Sequence, residues 1–236
     1  SIFLYRKSPS LPSRVRLGLL VVRVLVLGLI VVALFEPMAV VRRTREVERR
    51  LPILIDVSES MSIKDQRKRP ADIVEAAVVL GLLPPSVTGD VNSAALQLDS
   101  KQREAIAAAS RVDLAGSLLS HSARPVLELL GQDLEIGYYV FGTTVEMVGA
   151  GGQMSPESLR GLRAEASGTS IADSLGSVAS TGDDAPLAGI ILLSDGLDTS
   201  SVRVEAAIHD LGIQGVPVFP VPVGLPDPDD VSIRNI

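Results

Sequence analysis

Five short strand-like runs separated by helical patterns constrain this chain more than any other feature. The runs lie at 51–57 (LPILIDV), 134–141 (LEIGYYVF), 145–148 (VEMV), 187–194 (LAGIILLS) and 216–223 (VPVFPVPV). Helical patterns fill the intervals at 99–120, 155–165, 169–180 and 201–213. Apolar runs with little polar alternation suit strands buried on both faces, and strand–helix alternation builds a mainly parallel sheet with helices on each side. FGTT (141–144) between the second and third runs reads as a tight hairpin, which makes one edge strand antiparallel. Composition agrees: 46% of residues are hydrophobic but only 3% aromatic, and Trp is absent, so the core is aliphatic.

Two regions depart from simple alternation. Residues 62–98 supply one helix at 71–82, a Pro84-Pro85 break and a polar loop, an insertion between the first strand and the helix expected to cover it. Pro125 falls within a helical stretch, where it removes a hydrogen bond and clashes one turn back; a kink or division is expected there.

Ahead of the first strand, residues 17–35 are apolar except for Arg23. As a helix they extend about 28 Å, close to one bilayer core. Arg23 costs about 3 kcal/mol at a membrane centre, but near one end its long stem reaches the headgroups. The expected organisation is a basic juxtamembrane segment (1–16), a transmembrane helix (17–35), a linker (36–50), one domain (51–225) and the start of a following segment (226–236). SIFLYRK at the beginning resembles the tail of an earlier apolar segment. Residues 6–16 then form a short basic loop of the kind retained in the cytoplasm, which places the domain outside it.

Charge is distributed unevenly. Residues 1–50 hold 10 of the 22 Lys and Arg but only 3 of the 28 Asp and Glu, leaving 12 against 25, a balance of −13, for the rest. So acidic a domain does not bind nucleic acid, which needs clustered cations for phosphate, but it can host a divalent cation. The absence of Cys excludes disulfides, thiolate metal sites and a cysteine nucleophile.

In a doubly wound sheet, ligands collect at the carboxyl ends of the strands. The first strand ends in DVSES, where Asp56, Ser58 and Ser60 stand at alternate positions and face one way. Thr169 in GTSIADSL precedes a helix, and Asp195 in ILLSDGLDT follows the most hydrophobic strand. Two carboxylates, several hydroxyls and water make an all-oxygen site, suited to Mg²⁺ first and to Mn²⁺ or Ca²⁺ as alternatives. Each loop also has a plainer reading: a helix N-cap cluster for 56–60, an N-cap at Thr169, a strand-to-helix turn at Asp195-Gly196.

DVSESM, GTSIADSL and LLSDGLD, in that order over residues 51–225, together resemble the three ligand loops of the von Willebrand factor type A (VWA) domain. The resemblance implies a Rossmann-like doubly wound α/β fold with a metal-ion-dependent adhesion site. Asp56, Ser58 and Ser60 would form its first loop, Thr169 its second and Asp195 its third. It also implies a cation that accepts an Asp or Glu carboxylate from a protein ligand. The insertion at 62–98 departs from the family pattern. Basic segment, span and domain together resemble bacterial membrane-anchored VWA proteins, some of which work beside AAA-type ATPases; a regulatory subunit of such a machine is the alternative reading.

No other motif carries catalysis. GAGGQM (149–154) lacks phosphate-loop spacing, and His121 and His209 have no partner motif. DVSES lacks the second Asp of a phosphoaspartate signature at Ser58, and Ser194 has no nucleophile elbow around it. The expected function is therefore a membrane-tethered, non-catalytic binding module.

Overall fold

The computed structural model describes residues 13–34, 49–85, 91–148, 155–181 and 185–225. Most of the basic segment, the linker as far as 48, GAGGQM and the segment 226–236 lie outside the described residues. The chain divides into two compact units, Ser1–Glu46 and Val47–Ile236.

In the first unit, helix α1 spans Ser13–Leu34. Within the expected transmembrane segment residues 17–34 are therefore helical, and the side chains of 17–31 are exposed. Among the described residues no helix is long and apolar enough to cross a membrane, so the fold gives the expected span no support.

The second unit is built on a five-stranded sheet: β1 (Arg49–Asp56), β2 (Leu134–Phe141), β3 (Val145–Met147), β4 (Ile190–Ser194) and β5 (Val218–Pro222), in the order β3-β2-β1-β4-β5. All pairings are parallel except β2 with β3, whose register Phe141↔Val145 closes the expected hairpin. Each predicted strand is present, with ends that differ from the expected ones by at most three residues. Strand β1 is central, and its residues Leu51–Asp56 are all buried. Alternate side chains leave it in opposite directions. Ile53 and Ile55 join Leu193, Met61, Val112 and Ala115 on one face, while Leu54 joins Ile190, Leu192, Phe141, Leu175 and Val178 on the other. From β1 the chain turns to β2 on one side and later returns to β4 on the other. The carboxyl ends of β1 and β4 therefore flank the switch point where such sheets bind ligands.

Helices differ more from the sequence pattern. The helix expected at 99–120 is divided into α4 (Ser100–Ala108) and α5 (Arg111–Ser117), because Asp99 and Ser110 each start a new helix through a reciprocal capping box. A π-type turn, Leu118–Ser122, leads into α6 (Arg124–Leu130). Pro125 sits in the first turn of α6, where no amide donor is missed, so it helps begin a helix instead of kinking one. In the insertion, α2 covers Pro70–Val79, and the expected polar loop contains a further helix, α3 (Val91–Gln97). Ala94 and Ala95 bury against Val74, a local contact that composition concealed. The helix expected at 155–165 shortens to α7, Pro156–Arg160, because the following residues run extended beside the end of β1. Helices α8 (Ile171–Ser180) and α9 (Val204–Ile213) cover the opposite face of the sheet.

Candidate metal centre

Asp56 ends β1 fully buried. Neighbouring β4 ends in Ser194, whose hydroxyl donates to Asp56 Oδ2 at 2.6 Å, while the Ser58 amide donates to Oδ1 at 2.9 Å. Burial pushes the Asp56 carboxyl above its ordinary range, and the negative charge of Asp195 acts in the same direction; the hydrogen bonds from Ser194 and Ser58 oppose them without prevailing. A carboxylate kept from water beside a second one is a site that a cation relieves.

The first loop is not a helix cap. Ser58 stands ahead of the short 3₁₀ turn Glu59–Ser62 but makes no side-chain capping bond. Its Oγ instead lies 3.0 Å from Ser60 Oγ, so both hydroxyls are held together above Asp56 in sequence order. Met61, wholly buried, pins the turn to the core beneath.

Backbone hydrogen bonds tie the second loop to the first and third. The Ala166 amide donates to Val57 O at 3.0 Å, and the Glu59 amide to Ala166 O at 2.8 Å. A β-carbon on Gly142 would meet Ala166 Cβ at 2.2 Å, so the hairpin must carry glycine there for the loop to pass. Thr169 is clasped by Thr199: its amide donates to Thr199 Oγ1 at 2.8 Å, and its carbonyl accepts from the Thr199 amide at 3.0 Å and hydroxyl at 3.1 Å. The helix cap is Ser170, not Thr169. Thr169 is only 2% exposed, and among the described residues its hydroxyl makes no hydrogen bond. A buried, unpaired hydroxyl is costly unless a ligand satisfies it.

Asp195 serves two partners. Its Oδ1 accepts from the Leu197 amide at 3.1 Å, closing the turn in which Gly196 takes φ 82°, so the plainer turn reading holds at that oxygen. Its Oδ2 accepts from Arg111 Nη1 at 2.8 Å. The same guanidinium pairs with Asp65, with Nη2 2.8 Å from Oδ1. Ser194, Thr199, Arg111 and Asp65 were all missed by sequence reasoning. Thr199 lies within the third-loop motif, but nothing in sequence links Arg111 to a residue 84 positions away.

The five expected residues thus stand on three loops that are bonded to one another at one end of the sheet. Among the described residues no three His, Cys, Asp or Glu side chains form a metal-binding group. The donor set consists of two carboxylates and three hydroxyls, a hard-oxygen set that fits a small divalent cation better than a soft one. The sheet order and the three strand-end loops fit the doubly wound α/β layout that the sequence resemblance implies.

No protein-family model matches the chain, and no curated protein matches it in sequence. Solved structures do show a likeness. An aerotolerance-related membrane protein from Bacteroides fragilis NCTC 9343 is 16% identical, with 78% of this chain and 74% of that chain covered and a TM-score of 0.40. Proximal thread matrix protein 1 from the mussel byssus is 15% identical, covering 75% of this chain at a TM-score of 0.35; this chain spans 38% of its length. Manganese-loaded TRAP protein of Plasmodium vivax is 13% identical, covering 76% of this chain and 58% of that one at a TM-score of 0.41.

Proposed function

We propose that residues 51–225 form a metal-ion-dependent protein-binding module in which Asp56, Ser58, Ser60, Thr169 and Asp195 hold one divalent cation. The observation that carries this reading is a wholly buried Asp56 carboxyl that feels the negative charge of Asp195, on a strand end whose neighbouring loop carries the buried Thr169 hydroxyl. Mg²⁺ suits the oxygen set first, with Mn²⁺ or Ca²⁺ as alternatives. The mussel protein has also been described with a zinc-occupied MIDAS motif, and the Plasmodium protein with manganese.

A bound cation would supply a positive centre for one further anionic oxygen. Around it, neutral hydroxyls from Ser58, Ser60 and Thr169 dilute the charge of the two carboxylates. Ser194 and the Ser58 amide orient Asp56, while Thr199 fixes the backbone of Thr169. An Asp or Glu of a protein partner would supply that oxygen. Ser194, the hydroxyl that meets the Asp56 carboxylate, is buried with it instead of facing a substrate, which supports a module that binds without catalysing a reaction. Residues 17–35 tether it to a membrane with the module on the extracytoplasmic side, a reading carried by hydropathy and by the basic segment at 6–16.

Mn²⁺ titration with water-proton relaxation tests this. One Mn²⁺ per chain should bind, retain an exchangeable water, and lose that water on addition of glutarate. Absence of a saturable Mn²⁺ site, or a site unaffected by Asp56→Ala, overturns the proposal.

A further inference from the structure

The third loop already holds a cation. Arg111 begins α5 because Ser110 and Asp113 cap that helix reciprocally, and Arg111's own amide donates to Ile63 O at 3.1 Å. Both ends are thereby fixed, and the side chain is carried between two carboxylates. Nη1 meets Asp195 Oδ2 at 2.8 Å. Nε lies 3.2 Å from each oxygen of Asp65, and Nη2 lies 2.8 Å from its Oδ1. The three side chains are nearly sealed from water, with exposures of 12% for Arg111, 6% for Asp65 and 3% for Asp195. At such burial the charges are poorly screened.

The arrangement is held from several directions. Asp65 Oδ2 also accepts from the Leu225 amide at 3.3 Å, and Arg67 lies 3.5 Å from it. Gly224, at φ 107°, crosses directly over the guanidinium: a β-carbon there would meet Arg111 Nε at 2.6 Å and Cδ at 3.0 Å. The insertion after β1, the start of α5 and the exit of β5 therefore converge on Arg111, which in turn holds the Asp195 carboxylate.

We infer that Arg111 is a resident counter-cation of the metal site, lowering the charge that Asp195 offers a divalent ion, and that Asp65 sets the share of the guanidinium that Asp195 receives. The inference rests on the proposed metal site and deepens it. A carboxylate partly neutralised by a fixed guanidinium attracts a second cation less strongly. The ion therefore binds more weakly but keeps more positive charge for the anionic oxygen of a partner. The insertion that departs from the family pattern thus acquires a role: it carries Asp65, the residue that tunes the site.

Two substitutions in the full chain, titrated with Mn²⁺ by calorimetry, separate this from a structural role. Arg111→Gln frees Asp195 and should tighten Mn²⁺ at least tenfold. Asp65→Asn leaves the guanidinium to Asp195 alone and should weaken Mn²⁺ about threefold or more. Each variant also removes a buried ion-pair partner, so the thermal stability of both should fall without metal. A purely structural role lowers metal affinity in both variants or in neither, and either result overturns the inference. If Arg111→Gln does not fold, Asp65→Asn decides alone, since unchanged or tighter binding there contradicts it. Wild-type Mn²⁺ binding that is abolished by Asp56→Ala but unmoved by these two variants leaves the metal site intact and removes only the role of Arg111.

Discussion

Replacing Ser194 by Ala deletes a single oxygen from the end of β4 and tests how Asp56 is held. That hydroxyl donates to Asp56 Oδ2 at 2.6 Å and accepts from the Gly196 amide at 3.0 Å, so its loss leaves a buried carboxylate short of a donor and an amide short of an acceptor. A hydrogen bond to a charged group contributes about 1.5–3 kcal/mol, and a neutral one about 1 kcal/mol. Ser194 is 6% exposed, so water has poor access to replace either bond. The expected destabilisation of the metal-free chain is therefore about 2.5–4 kcal/mol at neutral pH. Urea unfolding in chelator measures it, and the same substitution made in an Asp56→Asn background isolates the charged component. In that background the loss should shrink to about 2 kcal/mol, because both bonds then join neutral groups. An equal loss in both backgrounds would refute the reasoning, since the hydroxyl would then serve Gly196 and local packing alone.

Three further outcomes are expected. Gly142→Ala forces a β-carbon against Ala166 Cβ, so it should cost about 1–3 kcal/mol in urea unfolding and weaken Mn²⁺ binding by displacing the second loop; full affinity would show that loop position is unimportant. Because the folded-state pKa of Asp56 is raised above 3.8, its contribution to metal-free stability is fully present below that value and is lost as pH rises through the folded value. The stability of Asp56→Asn relative to wild type should therefore decrease as pH is lowered from 7 toward 4, and a flat difference across that range contradicts the burial effect. For tethering, protease added to intact spheroplasts should digest the module while a cytoplasmic control survives; protection until lysis would reverse the assigned side.

Much of the sheet was legible because its signal is local. The uninterrupted apolar character of Leu51–Ile55 and Ile190–Leu193 reports burial on both faces, and FGTT marks a hairpin by its length alone. The three candidate-site loops could be located for the same reason, each being a short motif near a strand end. Helix boundaries were harder. Asp99 and Ser110 are strong caps, yet the apolar spacing across 99–120 is continuous enough to hide the break between them. Helix α3 escaped because Val91–Gln97 buries only two alanines within a polar stretch. Arg111 was beyond reach for a different reason: its role depends on Asp65 and Asp195, 46 and 84 positions away, and no periodicity encodes that convergence. Thr199 and Ser194 were visible as residues, but their value lies in bonds formed only after β1 and β4 pair.

The central claim is that Asp56 and its neighbours hold a divalent cation, and thermal melts of the full chain with Mg²⁺ or with chelator test it most directly. A ligand that binds only the folded state at a hundredfold excess over its dissociation constant stabilises by about 2.7 kcal/mol. For a chain of this size that is a rise in Tm of about 5–10 °C. Wild type should show this rise and Asp56→Ala should show none, whatever their melting temperatures in chelator. An equal Mg²⁺-induced rise in both proteins would mean that Asp56 only terminates a strand, and the metal-dependent reading would be wrong.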